Sequence, residues 1–304
     1  MQCTNCSSEI LATAKFCPEC GHKVENKGKT CPNKECNCTG LSPEAVYCPD
    51  CGTELKRKIA SFTETVNGVS FEMVAVERGT FMMGSNDGYE DEKPVHRVTL
   101  DDYYIGKTQV TASFWLMIEL ASLGEQVDMT KRDLNNLPIV QISWNDIRIF
   151  LMTLNELTGK KYCLPTEAEW EFAARGGNQS KGYIYAGSNN IDDVAWYDKN
   201  TRWNDNRTKV PRLNPVAMKK PNELGLYDMS GNVKELCSDI YDETFYLISD
   251  SKNPSGPNSD GLNVIRGGDW SCDAFDCRCT NRKAGSNFFS RSHSGLSFRL
   301  VLHK

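Results

Sequence analysis

The sequence predicts an α+β, loop-rich domain behind a short cysteine-rich region, and three observations carry that prediction. Nine of the 14 cysteines fall within the first 51 residues, in closely spaced pairs. From Phe62 onward apolar and polar residues alternate in short runs that read as strands, and a few longer stretches carry helical spacing. From Gly176 to the end the chain is rich in Gly, Asn, Asp and Ser, the composition of loops joined by a few strands. With 304 residues, 39% of them hydrophobic and 25% charged, the chain can bury a sizeable core and is neither disordered nor collagen-like.

The cysteine pairs come first in the chain. Cys3 and Cys6 are followed by Cys17-Pro-Glu-Cys20-Gly, two thiolate pairs that can close one tetrahedral zinc site. Zinc–sulfur bonding then supplies the folding energy that a ribbon of about 20 residues cannot obtain from a core. This first ribbon takes residues 1–26. A second, over residues 27–58, uses Cys31, then Cys36 or Cys38, then Cys48-Pro-Asp-Cys51-Gly. Three thiols compete there for two places on the first knuckle, and Cys36 is preferred because its gap from Cys31 is closer to the common spacing. A thioredoxin-like redox pair would need a βαβ context that this segment lacks. Such ribbons resemble the small modules at the start of many bacterial proteins that serve as structural or partner-binding units, and their spacing leaves the partner unspecified. Lys56-Arg57-Lys58 reads as a short basic linker to the large domain, residues 62–304.

In that domain, Glu72 to Val76 and His96 to Leu100 alternate as strands. Thr111 to Leu123 and Ser143 to Thr158 have helical spacing; Ser143 is a cap and Gly159 a stop. A third helix is predicted after Pro165, with Thr166 as its N-cap and Glu169 completing a capping box. Trp144, Trp170 and Trp270 read as core anchors. The four histidines, His22, His96, His293 and His303, show no ligand spacing with one another.

Longer motifs then become specific: Gly79-Thr80-Phe81-Met82-Met83-Gly84, Glu92-Lys93-Pro94-Val95-His96, Leu164-Pro165-Thr166-Glu167-Ala168-Glu169-Trp170-Glu171, Gly225-Leu226-Tyr227-Asp228-Met229-Ser230-Gly231-Asn232-Val233, Arg266-Gly267-Gly268 and Phe298-Arg299-Leu300-Val301. In content and order they resemble the formylglycine-generating-enzyme, or sulfatase-modifying-factor, family across residues 62–304. That resemblance implies a C-type-lectin-like fold with long loops shaping one ligand face. It also implies a calcium loop with Asp228 and Glu235 as side-chain ligands and Gly231 and Val233 as carbonyl ligands. The turn through Gly231 gives oxygen donors of the kind calcium takes. Enzymes of the family hold copper(I) through two cysteines and oxidise a sulfatase-type cysteine to formylglycine. Cys272 and Cys277 stand at the corresponding place, and soft thiolates suit copper(I). Three departures count against that chemistry: Asp269 replaces a serine, Lys234-Glu235-Leu236 replaces Trp-Glu-Trp, and Cys279 adds a third thiol.

The stretch after the glycine pair suggests another use. Residues Asp269, Ser271, Cys272, Asp273, Phe275, Asp276, Cys279, Asn287, Phe288, Phe289, Ser292, His293 and Ser294 are interleaved with a framework of Trp270, Cys277, Arg278 and Arg282. All the interleaved types are reachable from an AAC codon by changing its first two bases. Apart from Trp270 and Lys283, residues 269–297 contain no Lys, Glu, Gln, Met or Trp. This looks like the variable region, residues 266–299, of a diversity-generating-retroelement target protein. In such a region, aromatic anchors and short polar groups give adaptable recognition on a rigid scaffold. The sequence therefore favours a display protein for a variable protein or other macromolecular ligand, with copper-dependent oxidation as the alternative. A formal charge of −5 gives no general drive toward nucleic acid. With neither a signal peptide nor an apolar run long enough for a membrane span, a cytoplasmic location is expected.

Overall fold

The structure is a computed structural model that describes residues 59–123, 136–201, 213–285 and 295–304, together with 8, 18–20, 31–33, 35, 36, 38–41 and 47–53. The chain divides into two compact units, Met1–Lys58 and Ile59–Lys304.

In the large unit, β1 (Phe62–Val66), β2 (Val69–Val76), β3 (Gly79–Met83), β4 (His96–Leu100) and β5 (Tyr103–Gly106) precede two helices, α1 (Ala112–Ser122) and α2 (Trp144–Thr158). Next come β6 (Tyr162–Cys163), α3 (Glu167–Ala174) and the short α4 (Ile191–Val194). The C-terminal third carries β7 (Lys234–Ile240), β8 (Asn263–Arg266), β9 (Arg282–Ala284), β10 (Leu296–Ser297) and β11 (Val301–His303). The β1–β2 hairpin turns on Asn67-Gly68, both left-handed at φ 48° and 82°. This dipeptide suits a two-residue loop whose twist matches the strands.

A five-stranded antiparallel sheet has the order β1-β2-β5-β11-β6. The last strand thus lies inside it, between β5 and β6. A second sheet, β10-β7-β8-β9, carries the C-terminal loops, and β3 pairs with β4. The α1 and α2 helices bury Phe114, Phe150 and Leu154 in a cluster with Phe298 and Leu300, and Trp115 stacks on Phe150 at 5.0 Å.

The predicted helix ends are built as the residues dictate. Thr111 accepts from Phe114 N, Ser143 forms a capping box with Asp146, and Gly159 ends α2 at φ 67°. Thr166 and Glu169 form the capping box of α3. Trp144 departs from expectation: it is 42% exposed, at the first position of α2 and ahead of Ile147, the first residue which that helix buries.

All eight residues of α3 are buried, its three glutamates included. Burying a carboxylate demands a partner. Glu167 takes a two-point contact from Arg282, at 2.7 and 2.9 Å, while Glu171 pairs with Arg266 and Arg175. Trp170, fully buried, joins Tyr103, Leu100 and Phe172 in the second core cluster. Among the described residues no helix is long and apolar enough to cross a membrane.

Candidate functional site

The Arg266-Gly267-Gly268 turn sets the floor of the C-terminal face. Gly268 adopts φ 70°, and a Cβ there would lie 2.8 Å from the sulfur of Cys277, so only glycine lets the following loop close on the turn. Arg278 then points inward, donating to both oxygens of Glu92 at 2.7 and 2.9 Å. Its guanidinium also lies 3.8 Å from the centre of the Phe275 ring, which meets Tyr89 edge-on at 5.0 Å. Phe275 is therefore 42% exposed yet held from beneath by a cation and from the side by an aromatic. Ser271 and Asp273 are exposed alongside it in the sequence, and Asp273 accepts from Asp276 N at 3.0 Å, which fixes the turn between them. Asp276 is half-buried, accepts from Tyr89 Oη at 3.2 Å and pairs with Lys283.

Three residues expected on this face lie inside instead. Asp269 is buried: Lys234 Nζ donates to one oxygen at 2.7 Å and Ser271 N and Oγ to the other at 2.9 and 2.7 Å. Burial pushes its carboxyl up, but Lys234 and Ser271 outweigh that and hold it below the usual carboxylate range. Asp269 organises the turn. Cys279 is enclosed because its carbonyl accepts from Arg266 and its N–H donates to Ile184 O. Cys272 packs into a small apolar cluster with Ile191, Ala195, Tyr197 and Cys277. Arg282 and Arg299 point inward as framework, while Trp270 is half-buried and supports Gly295, where a Cβ would meet its ring at 2.5 Å. Asn287, Phe288, Phe289, Ser292, His293 and Ser294 lie outside the described residues. Of the described residues nearest them, Gly285 N donates to Asn263 O at 2.8 Å and Lys234 N donates to Gly295 O at 2.7 Å. Tyr89, Lys234 and Lys283 are contributors that sequence reasoning missed. Nothing in the linear pattern joins residue 89 to residue 275.

Cys272 and Cys277, two thiols in one apolar cluster, are the right donor type for copper(I). Burial and then Asp269 push Cys272 up to about 11, and burial followed by Cys272 pushes Cys277 well above the usual thiol range. Metal loading would have to displace both protons.

Of the calcium ligand set implied by the motif, Glu235 and the carbonyl of Val233 already have protein partners. Both oxygens of Glu235 are occupied: one accepts from Trp170 Nε1 at 2.7 Å and Arg299 Nε at 2.5 Å, the other from Arg299 Nη2 at 2.6 Å and Gln109 Nε2 at 3.0 Å. The same Gln109 amide reaches the carbonyls of Asp228 and Val233, each at 3.1 Å. Arg299 thus supplies a positive charge beside Glu235, and Gln109 bridges Glu235 to the carbonyls of Asp228 and Val233. Asp228 keeps one buried oxygen without a partner, and burial pushes its carboxyl up to about 6.

In the N-terminal unit the sulfurs of Cys31, Cys36, Cys48 and Cys51 all lie within 4.8 Å of one another. Cys31 and Cys51 are 3.5 Å apart and Cys36 and Cys48 3.6 Å. Sulfurs on a tetrahedral zinc with bonds of about 2.3 Å stand about 3.8 Å apart, so the four fit that ion. Cys38 stands with Cys48 and Asp50 instead. Of the first ribbon's thiols, Cys20 is described, whereas Cys3, Cys6 and Cys17 lie outside the described residues.

With this geometry in place, a comparison with protein families is decisive: the profile of the sulfatase-modifying factor enzyme 1-like domain matches residues 60–304. The chain belongs to this family. A zinc-ribbon profile matches residues 2–24. Among curated relatives, the formylglycine-generating enzyme of Streptomyces coelicolor is 30% identical over 293 residues, covering 74% of this chain and 87% of that one. The chaperone protein LppX of Paenibacillus barcinonensis is 34% identical over 215 residues, 56% of this chain and 71% of that one. Among solved structures, variable protein 1 of Treponema denticola superposes with a TM-score of 0.67 at 26% identity, covering 81% of this chain and 99% of that one. This member of the sulfatase-modifying factor family therefore has the C-type-lectin-like fold that its motifs imply.

Proposed function

We propose that this protein displays the C-terminal face of its lectin-like domain to a macromolecular ligand, and that retroelement-driven codon change diversifies the face. The observation that carries the reading is how the stretch after Gly268 is held: Ser271, Asp273 and Phe275 are exposed on a loop whose neighbours Arg278 and Arg282 are buried and paired. Side chains at Ser271 and Asp273 can change without touching those ion pairs, and Phe275 meets them only as a ring over the Arg278 guanidinium. The likeness to a variable protein across 99% of that protein's chain supports the same reading. Free buried thiols at Cys237, Cys277 and Cys279 support a reducing, cytoplasmic setting.

Copper-dependent oxidation of a sulfatase-type cysteine is the second reading, favoured by the shared cluster of Cys272 and Cys277 and the likeness to formylglycine-generating enzymes. Incubation with copper(I), oxygen and a cysteine-containing sulfatase-type peptide separates the two. The display reading predicts no conversion; formylglycine formation lost in Cys272→Ser establishes the oxidase.

We further infer that the N-terminal unit holds two structural zinc ions, one on Cys3, Cys6, Cys17 and Cys20, the other on Cys31, Cys36, Cys48 and Cys51. The cysteine spacing supports the first and the sulfur separations the second. Elemental analysis should find close to two zinc ions per chain. A zinc-free protein with its thiols intact would contradict this.

A further inference from the structure

Away from the C-terminal face, the topology assembles a second set of reactive side chains. Cys163 sits on β6, the edge strand of the five-stranded sheet, paired with Val301 of β11. His303, two residues further along β11, points to the same side of the sheet, because side chains alternate along a strand. Its Nδ1 lies 3.8 Å from Cys163 Sγ. Its Nε2 lies 2.6 Å from Glu169 Oε1, while the other oxygen of that carboxylate accepts from Thr166 N at 2.8 Å in the α3 capping box. Strand, C-terminal strand and helix cap thus converge in a Cys–His–Glu array.

The array has a defined proton arrangement. The Glu169 carboxylate only accepts, so Nε2 carries a proton directed at it, and in the imidazolium Nδ1 carries a second proton directed at the sulfur. The Glu169 side chain is 9% exposed, which favours a short, oriented contact, while His303 is 53% exposed and Cys163 half-buried, so a small molecule can reach the sulfur. Hydrogen bonds to Cys163 and then Glu169 push the His303 imidazolium up to about 10. On its other side, His303 with Glu169 borders a cavity of about 330 Å³ that Asp101, Asp102 and Lys304 line, in which acids outnumber bases.

We propose that Cys163 is a nucleophilic thiol that undergoes thiol–disulfide exchange with small amine-bearing disulfides, with the His303 imidazolium facing its sulfur and Glu169 holding the ring. In the exchange the thiol proton passes to solvent, the His303 imidazolium holds the resulting thiolate through Nδ1–H, and Sγ attacks one sulfur of the disulfide. A new sulfur–sulfur bond forms to Cys163 as the old one breaks, and the departing thiolate takes a proton from solvent. The disulfide is the oxidant, so the electrons balance within the pair.

The test uses the full chain with cystamine as the probe and mass spectrometry of the Cys163 peptide as the readout. Wild-type protein should form the mixed disulfide at Cys163 about tenfold or more faster at pH 7 than His303→Gln, since an unassisted thiol is only a few per cent ionised there. Glu169→Gln keeps the capping box and should fall between the two. Between pH 6 and 8 the His303→Gln rate should climb by close to about tenfold per unit, and the wild-type rate less steeply. Melting curves confirm that the variants fold. Equal rates in wild type and His303→Gln, or an unmodified Cys163 in wild type, would overturn the proposal.

Discussion

Asp228 shows at a single residue how far a motif and its local environment can part. Its backbone is left-handed at φ 56°, its Oδ2 accepts from Ala217 N at 2.7 Å, and its Oδ1 is buried without a partner. Burial raises its carboxyl from 3.8 to about 6. Between those two values the native state keeps a proton that the unfolded chain has released, so this group's contribution to stability falls as pH rises from about 4 to 6 and stays lost above. Asp228→Asn keeps the Ala217 contact, tolerates the left-handed backbone and removes the charge. The variant should be more stable than wild type at pH 7 by roughly 1–3 kcal/mol, with the gain vanishing below pH 4. Urea unfolding at both pH values checks this. Were Asp228 a calcium ligand, the variant would instead lose stability in calcium. The motif placed these residues on one turn; it carried no sign that Arg299 and Gln109, distant in sequence, would occupy the oxygens.

At the scale of elements, what was legible in the sequence was local. Thr166 and Glu169, Ser143 and Gly159 are signals written within a few residues, and each helix end forms accordingly. The Asn67-Gly68 hairpin turn is set just as locally. The burial of all of α3 was not legible, because three glutamates in eight residues read as a solvated face until Arg266 and Arg282 arrive from about a hundred residues away. The same distance hid the Cys163–His303–Glu169 array. This hierarchy has energetic consequences. Thr166→Ala removes one cap contact and should cost about 1 kcal/mol. Arg299→Met strands the buried Glu235 carboxylate and should cost about 3–5 kcal/mol. Similar losses for the two variants in thermal unfolding would mean that the ion pairs do not organise the core as described.

For the whole molecule, the division of labour follows from where the stable and the replaceable residues lie. Invariant geometry sits in glycine turns and buried arginines, and the residues between them face outward at Ser271, Asp273 and Phe275 but not at Asp269, Cys272 or Cys279. Replacing any of the three exposed residues by alanine removes one local contact and should cost about 0.5–1.5 kcal/mol per site, short of the loss expected from stranding a buried charge. The account's central claim, that this face is diversified for binding, is tested most directly by sequencing codons 266–299 across a population of cells carrying the gene. Substitutions should concentrate at the exposed positions, arise at adenines, and match a nearby template repeat accompanied by a reverse transcriptase. Codons for Gly268, Arg278, Arg282 and Arg299 should stay constant. Uniform codons throughout, with no template repeat in the complete genome, would contradict it.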